Sequence, residues 1–437
     1  MHRIVQALVG AGATDVFQIG GTVRDRVLGV QPKDQDIEVW GLSFDRMAQV
    51  ISAFGEVDLC GKQFLVAKLS TGEEVVDFSV PRKDSKFGLG HQGFEVEAAP
   101  LDVTPEEAFS RRDFTMNAMG RSLVTGKVVD PFGGMDDLEK GILRHTSDAF
   151  AEDPLRVLRG MQFVSRFFLR AAPETLSLCR SLVGEFPTLS KERVWVEFEK
   201  MAVAPEPEAG LKFLRDCGWL ECFPLLEAMV GCEQAARHHP EGSVWAHTLM
   251  VVAEASFGAE FQDREDKVVL VMAALVHDIG KPFSDNGRHS RIGSELAAEF
   301  LDSIGCPLKI AERIVKLVQE HMCVPHTDAG IRRLAVRLEP ESIINLARLQ
   351  IADRLGRGRQ DDACLDEIRW LEKRAHHLLV ADQVPGPLVT GRHLLSFMAP
   401  GPEMGKLLKL AFEAQLDGAF SNTDEGVSWI VNQISPF

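Results

Sequence analysis

Tyrosine is missing from this chain of 437 residues, although phenylalanine occurs 26 times. No phenolic hydroxyl can therefore act in catalysis or binding. Long apolar runs are missing too. The longest, Val268 to Val276, is far too short to cross a bilayer, so no membrane partner is expected. The eight cysteines are scattered without a Cys-x-x-Cys pair, which suggests neither a zinc ribbon nor a disulfide framework. That usage, and an N-terminus without a secretory signal pattern, fits a reducing cytoplasm. Basic residues are in deficit: the formal net charge is −16. A nucleic-acid site would have to be a local basic groove on an acidic body. Internal repeats and low-complexity tracts are absent, and the length suits about three or four domains.

What is present centres on Gly20-Gly21-Thr22-Val23-Arg24-Asp25, followed by Asp34-Gln35-Asp36. The apolar run Val16 to Ile19 reads as a strand ending in two glycines. They let the backbone approach a bulky ligand and leave amides free for a phosphate. Thr22 to Leu28 reads as a short helix whose N-terminus faces the same anion. A second strand runs from Asp36 to Trp40. Residues two apart on a strand share a face, so Asp34 and Asp36 stand side by side near the phosphate cradle. Two such carboxylates repel one another and favour a hard divalent cation between them, typically magnesium holding triphosphate oxygens.

Further along, strands are expected at Phe64 to Leu69, Glu74 to Phe78 and Lys127 to Val129, with a mobile loop between Pro81 and Phe94. Asp77 could complete a metal-binding triad across the sheet or be a strand-edge acid. Arg111-Arg112-Asp113 is expected to open a helix ending at Met119. From about residue 146 nearly everything reads as helix: Pro154 to Phe168, Lys191 to Met201, Ala209 to Cys217, Val244 to Ala255, Lys267 to Val276, Ser294 to Leu301, Lys309 to His321 and Pro340 to Ala352.

Glu152-Asp153-Pro154-Leu155-Arg156 starts the first of these helices. Pro154 suits a first helical position and Asp153 its cap. Asp153 and Arg156, three apart, lie on the same side. A carboxylate only accepts hydrogen bonds and a guanidinium only donates them. Cytosine and adenine each present an amino donor beside a ring-nitrogen acceptor, and guanine and uracil present the reverse. The pair can therefore accept C and A and reject G and U without a template.

These residues resemble the head of the nucleotidyltransferase superfamily that includes tRNA CCA-adding enzymes and bacterial poly(A) polymerases. That pattern is a double glycine, a small residue, x-Arg-Asp, then Asp-x-Asp, and the Glu-Asp-x-x-Arg motif follows it. The resemblance implies template-independent addition of C and A, from CTP and ATP, to the tRNA 3′ end. Asp34 and Asp36 would be catalytic and hold Mg2+. Gly21, Arg24, Arg112 and Arg159 would hold the nucleotide, and Asp153 and Arg156 would select its base. Some relatives carry a further arginine where this chain has Gln162. Close alternatives are an enzyme adding only the terminal A, or a poly(A) polymerase.

His247, His277-Asp278 and Asp353 follow in an order that resembles the metal-dependent phosphohydrolase domain named after its His-Asp pair. Imidazole and carboxylate donors suit manganese, nickel, iron or zinc, and could equally hold magnesium. His289 and His321 are candidate substrate or outer contacts. This defines a reading of another class, a phosphohydrolase of nucleotides or RNA ends. The expected fold is α+β: a polymerase-β-like mixed-sheet head (1–145), an all-α neck for base selection and RNA binding (146–230), an HD-type helical metal domain (231–370) and a helical tail (371–437).

Overall fold

The computed structural model describes residues 1–32, 35–59, 65–72, 74–86, 94–98, 103–235, 237, 240–257, 261, 263–284, 289–357 and 362–434, without the side chains of 83–86, 94–98, 289, 362–364 and 434. Asp34 and the stretch 87–93 of the expected mobile loop lie outside the described residues. The chain divides into two compact units, Met1–Cys222 and Phe223–Phe437.

In the first unit, β1 (Asp15–Ile19) follows α1 (His2–Gly10) and leads through α2 (Gly21–Val27) to β2 (Asp36–Trp40) and α3 (Phe44–Ile51). Then come β3 (Glu56–Asp58), β4 (Val66–Ser70), β5 (Val75–Ser79), β6 (Arg82–Lys86) and β7 (Phe94–Ala98). α4 (Pro105–Ser110), β8 (Gly120–Ser122), β9 (Val128–Val129) and α5 (Gly134–Glu139) complete the sheet region. The main sheet has the order β3-β4-β5-β2-β1-β8-β9. β2 and β5 are parallel, and the other pairs are antiparallel. Alternation along β2 explains its two-sided burial. Ile37 and Val39 enter a core with Val16, Leu69 and Phe78 beneath Leu8 of α1 and Met47 of α3. Trp40, on the opposite face, packs against Phe17 and Phe109 with ring centroids 5.0 and 6.1 Å away.

Two expectations need correction. Residues 82–86, expected in the mobile loop, form a strand that pairs antiparallel with β7 in a separate ribbon. Arg111 to Met119 is not a helix. Thr104 and Glu107 form a capping box that starts α4 earlier, with Pro105 in the first turn, and Arg111 is already its C-cap. Asp113 then bonds its own neighbour, the Phe114 amide, at 2.8 Å, leaving only a 3₁₀ turn at Thr115–Asn117.

The helices α6 (Leu155–Phe167), α7 (Pro173–Ser181), α8 (Lys191–Ala202) and α9 (Pro207–Asp216) close this unit. Gly210 of α9 meets α6 without a side chain. A Cβ there would collide with Ser165 Oγ and stand 2.7 Å from the Met161 carbonyl oxygen. Gly210→Ala is therefore expected to cost about 1–3 kcal/mol through overpacking, outweighing the roughly 1 kcal/mol gained in helix propensity. Denaturant unfolding measures this; unchanged or raised stability would contradict the packing.

The second unit comprises α10 (Pro224–Val230), α11 (Val244–Phe257), α12 (Arg264–Val276), α13 (His289–Ser303), α14 (Leu308–Glu320), α15 (Asp328–Leu338), α16 (Ile343–Leu355) and α17 (Asp362–His377). Its tail is α18 (Gly391–Leu394), α19 (Pro402–Asp417) and α20 (Thr423–Ile434). The apolar run Val268 to Val276 lies in α12 and is buried throughout. It is the central helix, packed by α11, α14 and α16. Val389, Leu394, Met404, Phe420 and Ile430 form the tail's own core. Among the described residues no helix is long and apolar enough to cross a membrane.

Candidate functional site

β1 runs into Gly20 at φ 61° and ψ −130°, a conformation that disfavours any side chain. Thr22 Oγ1 accepts from the Asp36 amide at 3.3 Å, tying the turn to the start of β2. Asp36 is the register partner of Asp77 on the neighbouring parallel strand. Asp77 therefore stands beside Asp36 on a strand interior to the sheet. The Lys68 ammonium lies 3.3 Å from Asp77 Oδ2. Adjacent carboxylates of this kind fit a hard divalent ion.

Arg24 is turned inward and only 5 % exposed. It donates from Nη1 to Asn117 Oδ1 at 2.7 Å, and from Nε and Nη2 to Asp25 Oδ1 at 2.9 and 2.7 Å. Phe167 lies against its guanidinium at 4.5 Å. Burial lowers its pKa, and Asp25 opposes the shift. Asn117 donates in turn to Asp113, which also accepts from Arg159 Nε at 2.7 Å and Nη2 at 2.6 Å. Burial pushes the Asp113 carboxyl up, but Arg159 and the hydrogen bonds outweigh it and hold the group below its ordinary value. Arg24, Asn117, Asp113 and Arg159 thus form one continuous chain beneath the glycine turn. Gly21 opens α2, and Arg112 lies alongside Gly20.

Asp153 and Arg156 are brought to the head of α6 but not to each other. Asp153 Oδ1 accepts from the Leu155 amide at 3.1 Å and Oδ2 from Arg193 Nη2 at 2.8 Å. Arg156 donates to the Ala149 and Arg111 carbonyl oxygens, both at 2.6 Å.

In the second unit, α11 supplies His247, the end of α12 supplies His277 and Asp278, and α16 supplies Asp353. All four are buried. Nitrogen and oxygen atoms of His247, His277 and Asp353 lie within 4.8 Å of one another. His247 Nε2 is 3.0 Å from Asp353 Oδ1, and His277 Nε2 is 3.2 Å from Asp278 Oδ2. His277 Nδ1 bonds the Ala274 carbonyl at 2.8 Å. A carbonyl only accepts, so Nδ1 carries a proton and Nε2 is the nitrogen that faces the carboxylate oxygens. Imidazole and carboxylate groups facing one another in a dry site share a proton or hold a cation between them, and the second arrangement fits a bound metal. Burial opposes charge on His277, yet Asp278 and Asp353 raise its pKa. Asp278 is held well below the carboxylate range: burial works against this, but His277 and Lys281 prevail. His321 Nε2 lies 3.9 Å from Asp278 Oδ1, and burial and His277 push its pKa down to about 4. His289 opens α13, but its side chain lies outside the described residues.

Residues 16–144 match the Poly A polymerase head domain family, 169–229 the probable RNA and SrmB-binding site of polymerase A, and 244–358 the HD domain. The chain is 37% identical over 363 residues to the Multifunctional CCA protein of Methylococcus capsulatus, covering 80% of this chain and 79% of that protein. It is 34% identical over 421 residues to that of Pseudomonas aeruginosa, covering 92% and 97%. The chain belongs to the CCA-adding nucleotidyltransferase family, class II, with an HD domain. Its fold is that of the Bacillus stearothermophilus CCA-adding enzyme crystallised with CTP, at a TM-score of 0.68 and 20% identity over 99% of this chain and 96% of that one. The Thermotoga maritima CCA-adding enzyme complexed with tRNA aligns at a TM-score of 0.61 and 18% identity, over 100% and 96%.

Membership of the CCA-adding family implies dependence on divalent metal, and His247, His277 and Asp353 form a candidate metal site. Several groups around these sites escaped the sequence reading. Glu38 carried a signal, since it continues the every-second-residue acidic pattern of Asp34 and Asp36. Arg193, which pairs with Asp153, lies on an expected helix but has no spacing relation to it. Glu241, 2.8 Å from His247 Nδ1, meets that histidine through a contact no motif spacing encodes, whereas Lys281, 2.6 Å from Asp278 Oδ2, carried a signal in its i,i+3 spacing from Asp278.

Proposed function

We propose that this enzyme adds C and A from CTP and ATP to the 3′ end of tRNA, using the turn at Gly20–Gly21 and the carboxylates of β2. The observation that carries this reading is the register pairing of Asp36 with Asp77 beside the glycine turn and Arg112. The tRNA 3′-hydroxyl gives up its proton, which passes to solvent, as its oxygen attacks the α-phosphorus of the nucleotide; the α–β bridging bond breaks, and pyrophosphate leaves. Bound Mg2+, held by Asp34 and Asp36 with Asp77 alongside, would activate the hydroxyl and neutralise charge building on the phosphates. Gly21, Arg24, Arg112 and Arg159 form the nucleotide side of the site, either by direct contact or, for the inward-facing Arg24, by holding the turn. We assign residues 1–145 as the head, 146–230 as the neck, 231–370 as the HD domain and 371–437 as the tail, in a cytoplasmic protein. The test is an incubation of tRNA lacking its last three, two or one nucleotides with labelled CTP and ATP, separately and together. Addition of A alone, or of long A tracts, would favour the A-adding or poly(A) alternative instead.

Base choice falls to Asp153 and Arg156. The Asp153 Oδ2 that accepts from Arg193 has a second lone pair for the exocyclic amino group of C or A. Asp153→Asn can present an amide nitrogen to the keto oxygen of U or G. It is expected to lower CTP and ATP efficiency by about 5–150-fold, the equivalent of 1–3 kcal/mol, and to raise relative use of UTP or GTP. The check is the ratio of catalytic efficiencies for all four nucleotides on one tRNA. An equal fall for all four would make Asp153 only the cap of α6 and the partner of Arg193.

A second activity is favoured by the convergence of His247, His277, Asp278 and Asp353. This centre suits hydrolysis of phosphomonoesters or cyclic phosphates, with manganese, nickel, iron, zinc or magnesium as the ion.

A further inference from the structure

Glu38 is a carboxylate with no exposure at all, placed in the middle of β2 on the same face as Asp36. A lone buried carboxylate is costly, so its partners matter. Oε1 accepts from Trp40 Nε1 at 3.0 Å, which fixes the carboxylate plane. Oε2 lies 3.5 Å from Arg112 Nη2 and 3.5 Å from Arg111 Nη2. Two guanidinium groups thus share one oxygen. Arg112 also packs on the Phe109 ring at 5.4 Å. Its other end reaches the glycine turn: a Cβ on Gly20 would stand 3.1 Å from Arg112 Nη1. Its buried Nε–H has no acceptor among the described residues. One edge of Arg112 is therefore held from behind, while donors remain at the turn where the nucleotide phosphates are expected.

We infer that Glu38, oriented by Trp40, is a positioning residue that aims Arg112 at the phosphates of the incoming nucleotide. This rests on the nucleotide site proposed above. Arg112 is long and flexible, and an unheld guanidinium would lose rotamer entropy on each binding event. Holding it in advance strengthens ground-state binding and leaves the chemical step to the β2 carboxylates. The effect should therefore appear in KM rather than kcat.

The experiment measures kcat and KM for CTP and ATP on tRNA lacking its terminal nucleotides, in the full-length enzyme. Glu38→Gln is expected to raise both KM values about tenfold with kcat within about threefold of wild type. Trp40→Phe, which keeps every charge, should raise KM less but in the same direction. In the double variant with Arg112→Ala, Glu38→Gln should add nothing to the KM rise of Arg112→Ala alone, a coupling that a merely structural role would not produce. Unchanged KM in Glu38→Gln, or rises that multiply with Arg112→Ala, would overturn the inference while leaving Arg112 as a nucleotide contact. If Arg112→Ala itself leaves KM unchanged, the nucleotide role of Arg112 fails and the inference falls with it. If Glu38→Gln does not fold, Trp40→Phe carries the test, and an unchanged KM there is the contrary result.

Discussion

Asp36→Ala is expected to lower nucleotide addition by about a thousandfold or more, with tRNA affinity and unfolding temperature close to wild type. The magnitude is the upper end of what a single preorganised group contributes to a charged transition state. Only part of the residue is buried, and its side chain belongs to neither hydrophobic face of the sheet. What anchors the backbone here is the Asp36 amide on Thr22 Oγ1, which alanine keeps. Removing one of two adjacent carboxylates also relieves their repulsion when no cation is bound, so stability should be unchanged or slightly higher. The measurements are single-turnover addition of CMP and AMP to tRNA lacking its terminal nucleotides, tRNA binding, and thermal unfolding. Addition at near-normal rate would remove the polymerase reading of the head. A large loss of unfolding temperature with lost tRNA binding would instead make Asp36 a structural group.

The features legible in the sequence were those written in short-range spacing. The alternation from Asp36 to Trp40 defines β2 as observed. The proline and acid before Leu155 fix the start of α6 to within a residue. The His, His-Asp, Asp order gives four groups that the bundle brings together, even though His247 and Asp353 are 106 residues apart. What stayed hidden depends on contacts that no local pattern encodes. The helix expected over Arg111 to Met119 failed because Asp113 spends its carboxylate on the Phe114 amide, Asn117 and a distant arginine. Arg156 holds two carbonyl oxygens from separate loops, contacts that its spacing from Asp153 does not encode. Glu38 lay within reach of the strand alternation, but its meaning comes from Arg111 and Arg112, which fold onto it from far along the chain.

His277→Ala is expected to empty the histidine centre of metal and to abolish any metal-stimulated phosphatase or cyclic phosphodiesterase activity, while CTP and ATP addition continues. His277 Nε2 is the nitrogen that faces the centre, because Nδ1 is held by the Ala274 carbonyl. Loss of an outer partner of a ligand costs about 10–100-fold in metal affinity, so loss of the ligand itself should exceed about 100-fold. The bundle that carries the centre belongs to the Phe223–Phe437 unit, whereas Asp36, Arg112 and Asp153 belong to Met1–Cys222. Addition should therefore be separable from the loss. Because His277 is fully buried among apolar helices, alanine also leaves a cavity and two carboxylates without their imidazole partner. Asp353→Asn, which keeps the volume, is the companion variant and should lose metal with less effect on unfolding. Metal content after dialysis against manganese, nickel, iron, zinc or magnesium reads the site directly, and hydrolysis of a 2′,3′-cyclic nucleotide or a phosphomonoester reads its chemistry. A wild-type protein with no bound metal and no hydrolysis would reduce the four residues to a hydrogen-bonded core of the bundle. Metal retained in both variants would place the ion on other residues.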